Sequence, residues 1–269
     1  MRKRHSFGNC GGEKLRLYCA SLKEKYGDDR RTEIAQVSGE VDIEDLIPEE
    51  QCVYTLTKFG YIKRQPTETY SIQNRGGRGV KGMTRREEDV AQTMFTCSSH
   101  DFIMFFTTKG KTYRLKGYEI PESQRTARGT NIVNVLPLEQ DEKVTTLIKL
   151  EGITDEDGTY LTMVTKNGVI KRTRLSQYRN VRKSGLNAIS LDEGDELKWV
   201  RLTGGEDELI VATRKGYAIH FKETDARELG RTARGVRGIT LSEEDYVVGV
   251  AVVDDSKKLV GIVTNRDLR

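Results

Sequence analysis

Apolar and polar positions along this chain fall into short runs bounded by glycine, and the runs return four times in one order. Runs at residues 53–56 and 61–63 flank a turn at Lys58-Phe59-Gly60. Runs at 103–106 and 112–115, at 161–164 and 169–171, and at 209–212 and 217–221 flank three more. Short apolar runs rich in β-branched and aromatic residues on both sides of a glycine predict β-hairpins. A further strand follows each hairpin, at 91–97, 144–150, 197–202 and 247–253. About four strands per 50 residues fits the blade of a propeller. The first part of the chain has another period. Leu15, Leu17, Leu22 and Tyr26 stand among charges with Gly27 placed as a C-cap, which predicts a helix over 14–26. Residues 28–50 read as a linker.

Three landmarks fix the repeat. The first is Thr-x-x-Gly followed by a base: Thr57 to Gly60 with Lys63, Thr107 to Gly110 with Arg114, Thr165 to Gly168 with Lys171, and Thr213 to Gly216 with His220. Its glycines stand 50, 58 and 48 residues apart. The second is a glycine at 79, 129, 185 and 235, which is 19, 19, 17 and 19 residues further on. The third is an acidic pair ahead of an apolar strand: Glu88-Asp89, Asp141-Glu142, Asp195-Glu196 and Glu244-Asp245. Such internal periodicity predicts a repeat architecture.

Charge follows the repeat. Residues 56–86 hold eight bases and one acid, 107–128 six and two, 165–183 seven and none, and 213–237 seven and three. The segments between reverse the balance, with seven acids and two bases in both 139–160 and 192–208. The formal net charge of +4 hides this segregation. In a radial repeat, equivalent positions fall on one part of the ring. The basic segments are therefore expected to form a belt suited to phosphates, with the acidic segments on another surface.

Other chemistry is sparse. Cys10, Cys19, Cys52 and Cys97 form no C-x-x-C pair, and His5, His100 and His220 are scattered, so no zinc pattern arises. The thiols are expected to be free and mostly buried, as in a reducing cytosol. No 18-residue apolar run predicts a membrane span. Basic residues at 1–5 have no apolar region behind them to make a signal peptide. No nucleophile–base arrangement and no Walker-type loop is visible, and the 11 tyrosines lie mostly in strand patterns.

The sharpest motif is Gln73-Asn74-Arg75-Gly76-Gly77-Arg78-Gly79, extended by Lys81 and Gly82. Glycines let the backbone approach a phosphate, the arginines can grip it through planar forks, and Gln and Asn add sequence-neutral hydrogen bonds. Alone, such a stretch equally reads as a flexible loop or an RNA-binding Arg-Gly segment. Here it occupies the slot of Ala127-Arg128-Gly129, Lys183-Ser184-Gly185 and Ala233-Arg234-Gly235 in the other repeats.

On these residues the chain resembles the C-terminal DNA-wrapping domain of the DNA gyrase A protein (GyrA). Residues 73–79 are similar to its seven-residue GyrA box, Gln-Arg-Arg-Gly-Gly-Arg/Lys-Gly, with Asn74 where the family carries a base. Residues 23–34 resemble the lead from the breakage-reunion core, and 165–171 and 234–239 resemble blade motifs. The resemblance spans roughly residues 22–263. It implies an all-β, propeller-like β-pinwheel of four-stranded blades that exchange strands, behind a short N-terminal helix. The domains would be 1–50, helix and linker from the core, and 51–269, the pinwheel. The family has six blades. This chain carries four full repeats and a truncated fifth, with Asp267 where its glycine belongs, so an incomplete ring from a fragment or a disrupted reading frame is expected.

The resemblance implies that the chain wraps double-stranded DNA around a basic rim and so supports negative supercoiling. It implies no catalysis and no cofactor in this chain. ATP and magnesium belong to the rest of the parent enzyme. The implied partners are DNA, the remainder of the gyrase A protein, and the gyrase B protein in a cytoplasmic heterotetramer, with no membrane. Expected DNA contacts are the box residues and Lys81, the strand bases Lys63, Arg64, Arg114, Lys171 and Arg172, and Arg128, Lys183, Arg234 and Arg237 near the second glycines. The alternatives are the C-terminal domain of the topoisomerase IV A protein, which lacks a proper box, and a protein-binding propeller scaffold, which needs no basic belt. A propeller hydrolase would need an acid or metal cluster that the sequence does not display.

Overall fold

The structure is a computed structural model that describes residues 11–27, 43–70, 89–151, 158–253 and 259–261. The chain divides into two units, Met1–Asp45 and Leu46–Arg269. In the first, helix α1 (Gly11–Tyr26) contains the predicted helical span. It ends where the Gly27 N–H donates to the Lys23 carbonyl at 2.8 Å, the C-cap its glycine suggested.

The second unit is built of four-stranded antiparallel sheets. The first repeat supplies β1 (Gln51–Thr57), β2 (Tyr61–Pro66) and β3 (Ala91–Ser98). The second supplies β4 (Phe102–Thr107), β5 (Lys111–Lys116), β6 (Thr130–Asn131) and β7 (Val144–Leu150). The third supplies β8 (Tyr160–Thr165), β9 (Val169–Arg174), β10 (Leu186–Asn187) and β11 (Leu197–Thr203). The fourth supplies β12 (Glu208–Thr213), β13 (Ala218–Lys222), β14 (Val236–Arg237) and β15 (Val247–Val253), followed by β16 (Leu259–Gly261). Strand orders are β3-β1-β2-β6, β10-β5-β4-β7, β11-β8-β9-β14 and β13-β12-β15-β16. Every longer strand read from the sequence is present.

Three two-residue strands cross between repeats. β6, from the second repeat, closes the first sheet against β2; β10 joins the second sheet on β5; β14 joins the third on β9. Each follows a second-landmark glycine with positive φ: Gly129 at 90°, Gly185 at 81° and Gly235 at 108°. A Cβ on Gly129 would sit 2.5 Å from the Ile62 carbonyl oxygen, and one on Gly235 2.7 Å from that of Ile170. Glycine stands there because the incoming loop presses onto the neighbouring sheet's backbone.

The other landmarks are structural too. In each Thr-x-x-Gly turn the glycine N–H donates to the threonine carbonyl at 2.9 to 3.1 Å. The side-chain oxygens of Thr57, Thr107 and Thr165 accept from the N–H four residues on. The acids reach back to the same turns. Asp89 accepts from the Phe59 N–H, Asp195 from Asn167 and Asp245 from Lys215, while Glu142 takes the Thr107 hydroxyl at 2.6 Å. Asp89, Glu142 and Asp195 are buried. One member of each of those pairs therefore satisfies a turn and does not belong to an acidic surface, which corrects the surface reading.

Successive sheets bury their faces on each other. Ile103 and Phe105 of β4 pack toward the first sheet with Tyr54 and Leu56. Met104 and Phe106 of the same strand pack toward the third sheet with Leu161 and Met163. Val164 and Ile170 meet Leu209 and Val211 of the fourth. Cys52 and Cys97 face each other across β1 and β3, both free and buried, whereas Cys19 is exposed.

Candidate nucleic-acid interface

Each basic run begins at the Thr-x-x-Gly turn and crosses the second hairpin strand. Side chains alternate along that strand, so neighbouring bases meet different surroundings. Lys63 and Lys171, three residues after their turn glycines, are fully buried. The Lys63 Nζ donates to the carbonyls of Arg125 at 2.7 Å and Ala127 at 3.2 Å. The Lys171 Nζ donates to the Ala188 carbonyl at 2.6 Å and to that of Arg231. Arg125 and Arg231 each stand four residues before an exchanged-strand glycine. Each lysine therefore ties the next repeat's loop onto its own sheet. Burial, and then the charge of Arg125, pulls Lys63 below the ordinary lysine value. Burial and then the Arg231 charge pull Lys171 down to about 8. The expectation that these two lysines contact DNA is corrected: their ammonium groups are interior and occupied.

The next position in each strand is half-buried. The Arg64 Nε donates to the Ile120 carbonyl at 3.3 Å, and its guanidinium pairs with Glu122 at 3.6 Å. Arg114 donates to the Arg179 carbonyl and lies 4.4 Å over the Phe102 ring. Arg172 donates to the Gly205 carbonyl at 3.3 Å and lies 4.5 Å over Tyr160. These arginines keep their charge near the surface, but part of each donor fork is spent on the fold.

A third set of bases, half-buried to exposed, sits in the loops that lead into the exchanged strands. Arg125-Thr126-Ala127-Arg128-Gly129 returns letter for letter as Arg231-Thr232-Ala233-Arg234-Gly235. The third repeat has Arg179, Arg182 and Lys183 in that slot, all exposed. Each loop is pinned by a tight turn: Ala127 N–H to the Gln124 carbonyl, Gly185 to Arg182, and Ala233 to Gly230, at 2.9 to 3.0 Å. Arg128 lies 5.3 Å over the Tyr61 ring. Arg234 is exposed and ion-paired with Asp192, and Arg237 is exposed on β14. Residues 123–129, 179–185 and 230–235 contain no acid. The structure thus brings three of the expected bases, Arg128, Lys183 and Arg234, into equivalent loops.

Arg125, Arg179, Arg182 and Arg231 were absent from the sequence-based set. The signal for them was the Arg-x-x-Arg spacing that these loops share with Arg75 and Arg78. Gln73, Asn74, Arg75, Gly76, Gly77, Arg78, Gly79 and Lys81 lie outside the described residues.

Guanidinium and ammonium groups carried on loops of fixed backbone can hold phosphate oxygens by charge-assisted hydrogen bonds. Among the described residues, no three His, Cys, Asp or Glu side chains gather as a metal site. No described helix is long and apolar enough to cross a membrane.

The family described as DNA gyrase C-terminal domain, beta-propeller, matches residues 53–98, 101–151, 159–203 and 207–254, one stretch per repeat. The DNA gyrase A protein of Halalkalibacterium halodurans is 54% identical over 226 residues, covering 84% of this chain and 27% of that protein. The chain thus spans about a quarter of the length of the curated relatives it matches. A crystal structure of the C-terminal domain of DNA topoisomerase IV aligns with a TM-score of 0.66 at 31% identity, covering 77% of this chain and 62% of that one. A structure of the DNA gyrase A C-terminal domain aligns with a TM-score of 0.59 at 28% identity, covering 76% and 66%.

Proposed function

Because this chain belongs to the DNA gyrase C-terminal domain, beta-propeller family, we propose that it binds duplex DNA through its phosphates and bends it along the repeat. The observation that carries this reading is the series of acid-free Arg/Lys loops, each fixed by strand exchange in the same slot of successive repeats. A rigid series of cations with one spacing per repeat favours DNA that curves to meet all of them, and it reads backbone rather than bases. The box, with Arg75 and Arg78 in the first repeat's slot, extends the series by one member.

In the parent assembly this binding would present a wrapped segment to the rest of the gyrase A protein and to the gyrase B protein in the cytoplasm, favouring negative supercoiling. Cleavage, ATP and magnesium would belong to those parts, and this chain would act without a cofactor of its own.

A salt titration against a short duplex tests the binding. Each phosphate contact contributes roughly −0.9 to the slope of log affinity against log salt. The double variant Arg128→Ala/Arg234→Ala is expected to flatten that slope by about 2 while the fold is kept. An unchanged slope would sink the loop assignment, and salt-insensitive binding would favour a protein scaffold. Wrapping is tested by relaxing plasmid with a nicking–closing enzyme in the presence of the chain. A linking-number change that survives deproteinisation supports a wrap, and none means binding without one.

A further inference from the structure

Cys52 of β1 and Cys97 of β3 stand directly opposite each other in the first sheet. Two positions along the ladder the Ser99 N–H donates to the Glu50 carbonyl at 2.8 Å, and antiparallel pairs alternate, so the two cysteines occupy a hydrogen-bonded pair. Such a pair sets its Cα atoms about 5.5 Å apart, inside the roughly 4.4–6.8 Å that a disulfide spans. Both side chains turn into the same core, where Cys52 is 0% and Cys97 3% exposed. The buried Tyr54 hydroxyl lies beside both sulfurs.

The other repeats fill these two positions without sulfur: Phe102 opposite Leu150, Tyr160 opposite Thr203, and Glu208 opposite Val253. In each, a base from the second hairpin strand lies on the first member of the pair. Arg114 lies on Phe102, Arg172 on Tyr160, and His220 on Glu208. In the first repeat that base is Arg64, and its guanidinium donates to the Cys52 Sγ at 4.0 Å. The fold keeps a base at this position, and only the first repeat sets it against a thiol. A neighbouring guanidinium favours the thiolate, the form that reacts. Burial pushes both thiols above the ordinary value, Cys97 to about 12, and the Arg64 charge opposes that rise at Cys52. Cys52 is therefore the sulfur that reacts first, with Cys97 placed to attack it.

Access comes from the edge of the sheet. Among the described residues β3 pairs only with β1, as β7 does with β4 and β11 with β8. Cys97 is the last residue but one of β3, and the end of an edge strand opens at lower cost than the whole fold.

We infer that Cys52 and Cys97 form a redox pair that a small hydroperoxide closes into a reversible cross-strand disulfide. With hydrogen peroxide, the Cys52 sulfur attacks one oxygen, the O–O bond breaks, and Cys52 becomes a sulfenic acid as the other oxygen leaves as water. The Cys97 sulfur then attacks the Cys52 sulfur. The S–O bond breaks, and the oxygen leaves as a second water with the Cys97 proton. Two thiols lose two electrons and two protons, and one peroxide is reduced to two waters. The bridge closes residues 52–97 into a covalent loop and pins the edge strand to β1. It stands on the register of the first sheet and not on the DNA reading.

The test uses the full chain with Cys10→Ser and Cys19→Ser, treated with hydrogen peroxide in the absence of denaturant. The expected product is a monomer lighter by two hydrogens, whose proteolytic map joins Cys52 to Cys97 and which dithiothreitol restores. Amide exchange in β3 is expected to slow at least about tenfold in the oxidised chain. In a Cys97→Ala chain, which keeps that face apolar, Cys52 is expected to stop as a sulfenic acid that dimedone traps. The proposal is overturned by two free thiols after an exposure that fully oxidises free cysteine, or by peroxide that takes the thiols singly to sulfinic acid. Disulfides that join two chains, or β3 exchange that the bridge leaves unchanged, overturn it as well.

Discussion

A lysine sealed under a neighbouring repeat makes stability depend on pH in an unusual direction. The Lys171 ammonium loses its proton at about 8 in the folded chain, against an ordinary value of 10.5. Between those values the unfolded chain holds a proton that the folded chain has released. Stability from this group therefore rises with pH through that window and levels off above it. Compared with Lys171→Met, the wild type is expected to gain on the order of 3 kcal/mol between neutral pH and the top of the window. Urea unfolding of both chains across that range checks it, and parallel curves would remove the buried charge from the account. The same residue shows why a base in a basic run need not face a ligand. Lys171 and Arg172 are neighbours in sequence, yet one is fully buried and the other reaches the Gly205 carbonyl at the margin.

At the scale of the element, the exchanged strand is the device that joins one repeat to the next. β14 contributes only Val236 and Arg237 to the third sheet, but the loop before it receives Lys171 and the segment after it caps Gly168. Gly235 is the point of closest approach. Gly194 makes a useful contrast, with φ of 78° and nothing within 4 Å of an added Cβ. Gly194→Ala is expected to cost about 1 kcal/mol from backbone strain alone. Gly235→Ala, with a carbonyl oxygen 2.7 Å from the new carbon, is expected to cost at least about twice that. Denaturant midpoints of the two variants decide it, and equal losses would mean that the loop does not press on the third sheet as described.

At the scale of the whole molecule, position in the array sets burial. β4 and β8 are buried along nearly their full length because each lies between two neighbours. β12 alternates buried and half-buried positions, and β13 is largely exposed. Repeat proteins of this kind draw their stability from nearest-neighbour interfaces. Amide exchange in the isolated chain at low concentration is therefore expected to be slowest in β4 and β8 and fastest, among the hairpin strands, in β13. If β13 is as protected as β5 and β9 under those conditions, its edge is already covered within one chain. Strand exchange also delivers each described Arg/Lys loop to the same edge of its neighbouring sheet, an arrangement that the net charge of +4 does not reveal.

Periodicity by itself determined the hairpins, the third strand of each repeat, the helix before them and the slots of the three described basic loops. These follow from local rules: alternation of apolar positions, a Thr-x-x-Gly turn, and glycine where φ is positive. The pairing partners of β6, β10 and β14 were decided only by the tertiary structure, because two residues carry no periodicity and their mates lie in the preceding repeat. The fates of individual charges were decided there too. Asp89 and Asp195 look like any surface acid until the turn N–H that each accepts is known, and Lys63 looks like a rim base until the Arg125 and Ala127 carbonyls close over it. Local sequence sets which residues can turn and extend, whereas the solvation of a charge depends on which distant backbone is folded against it.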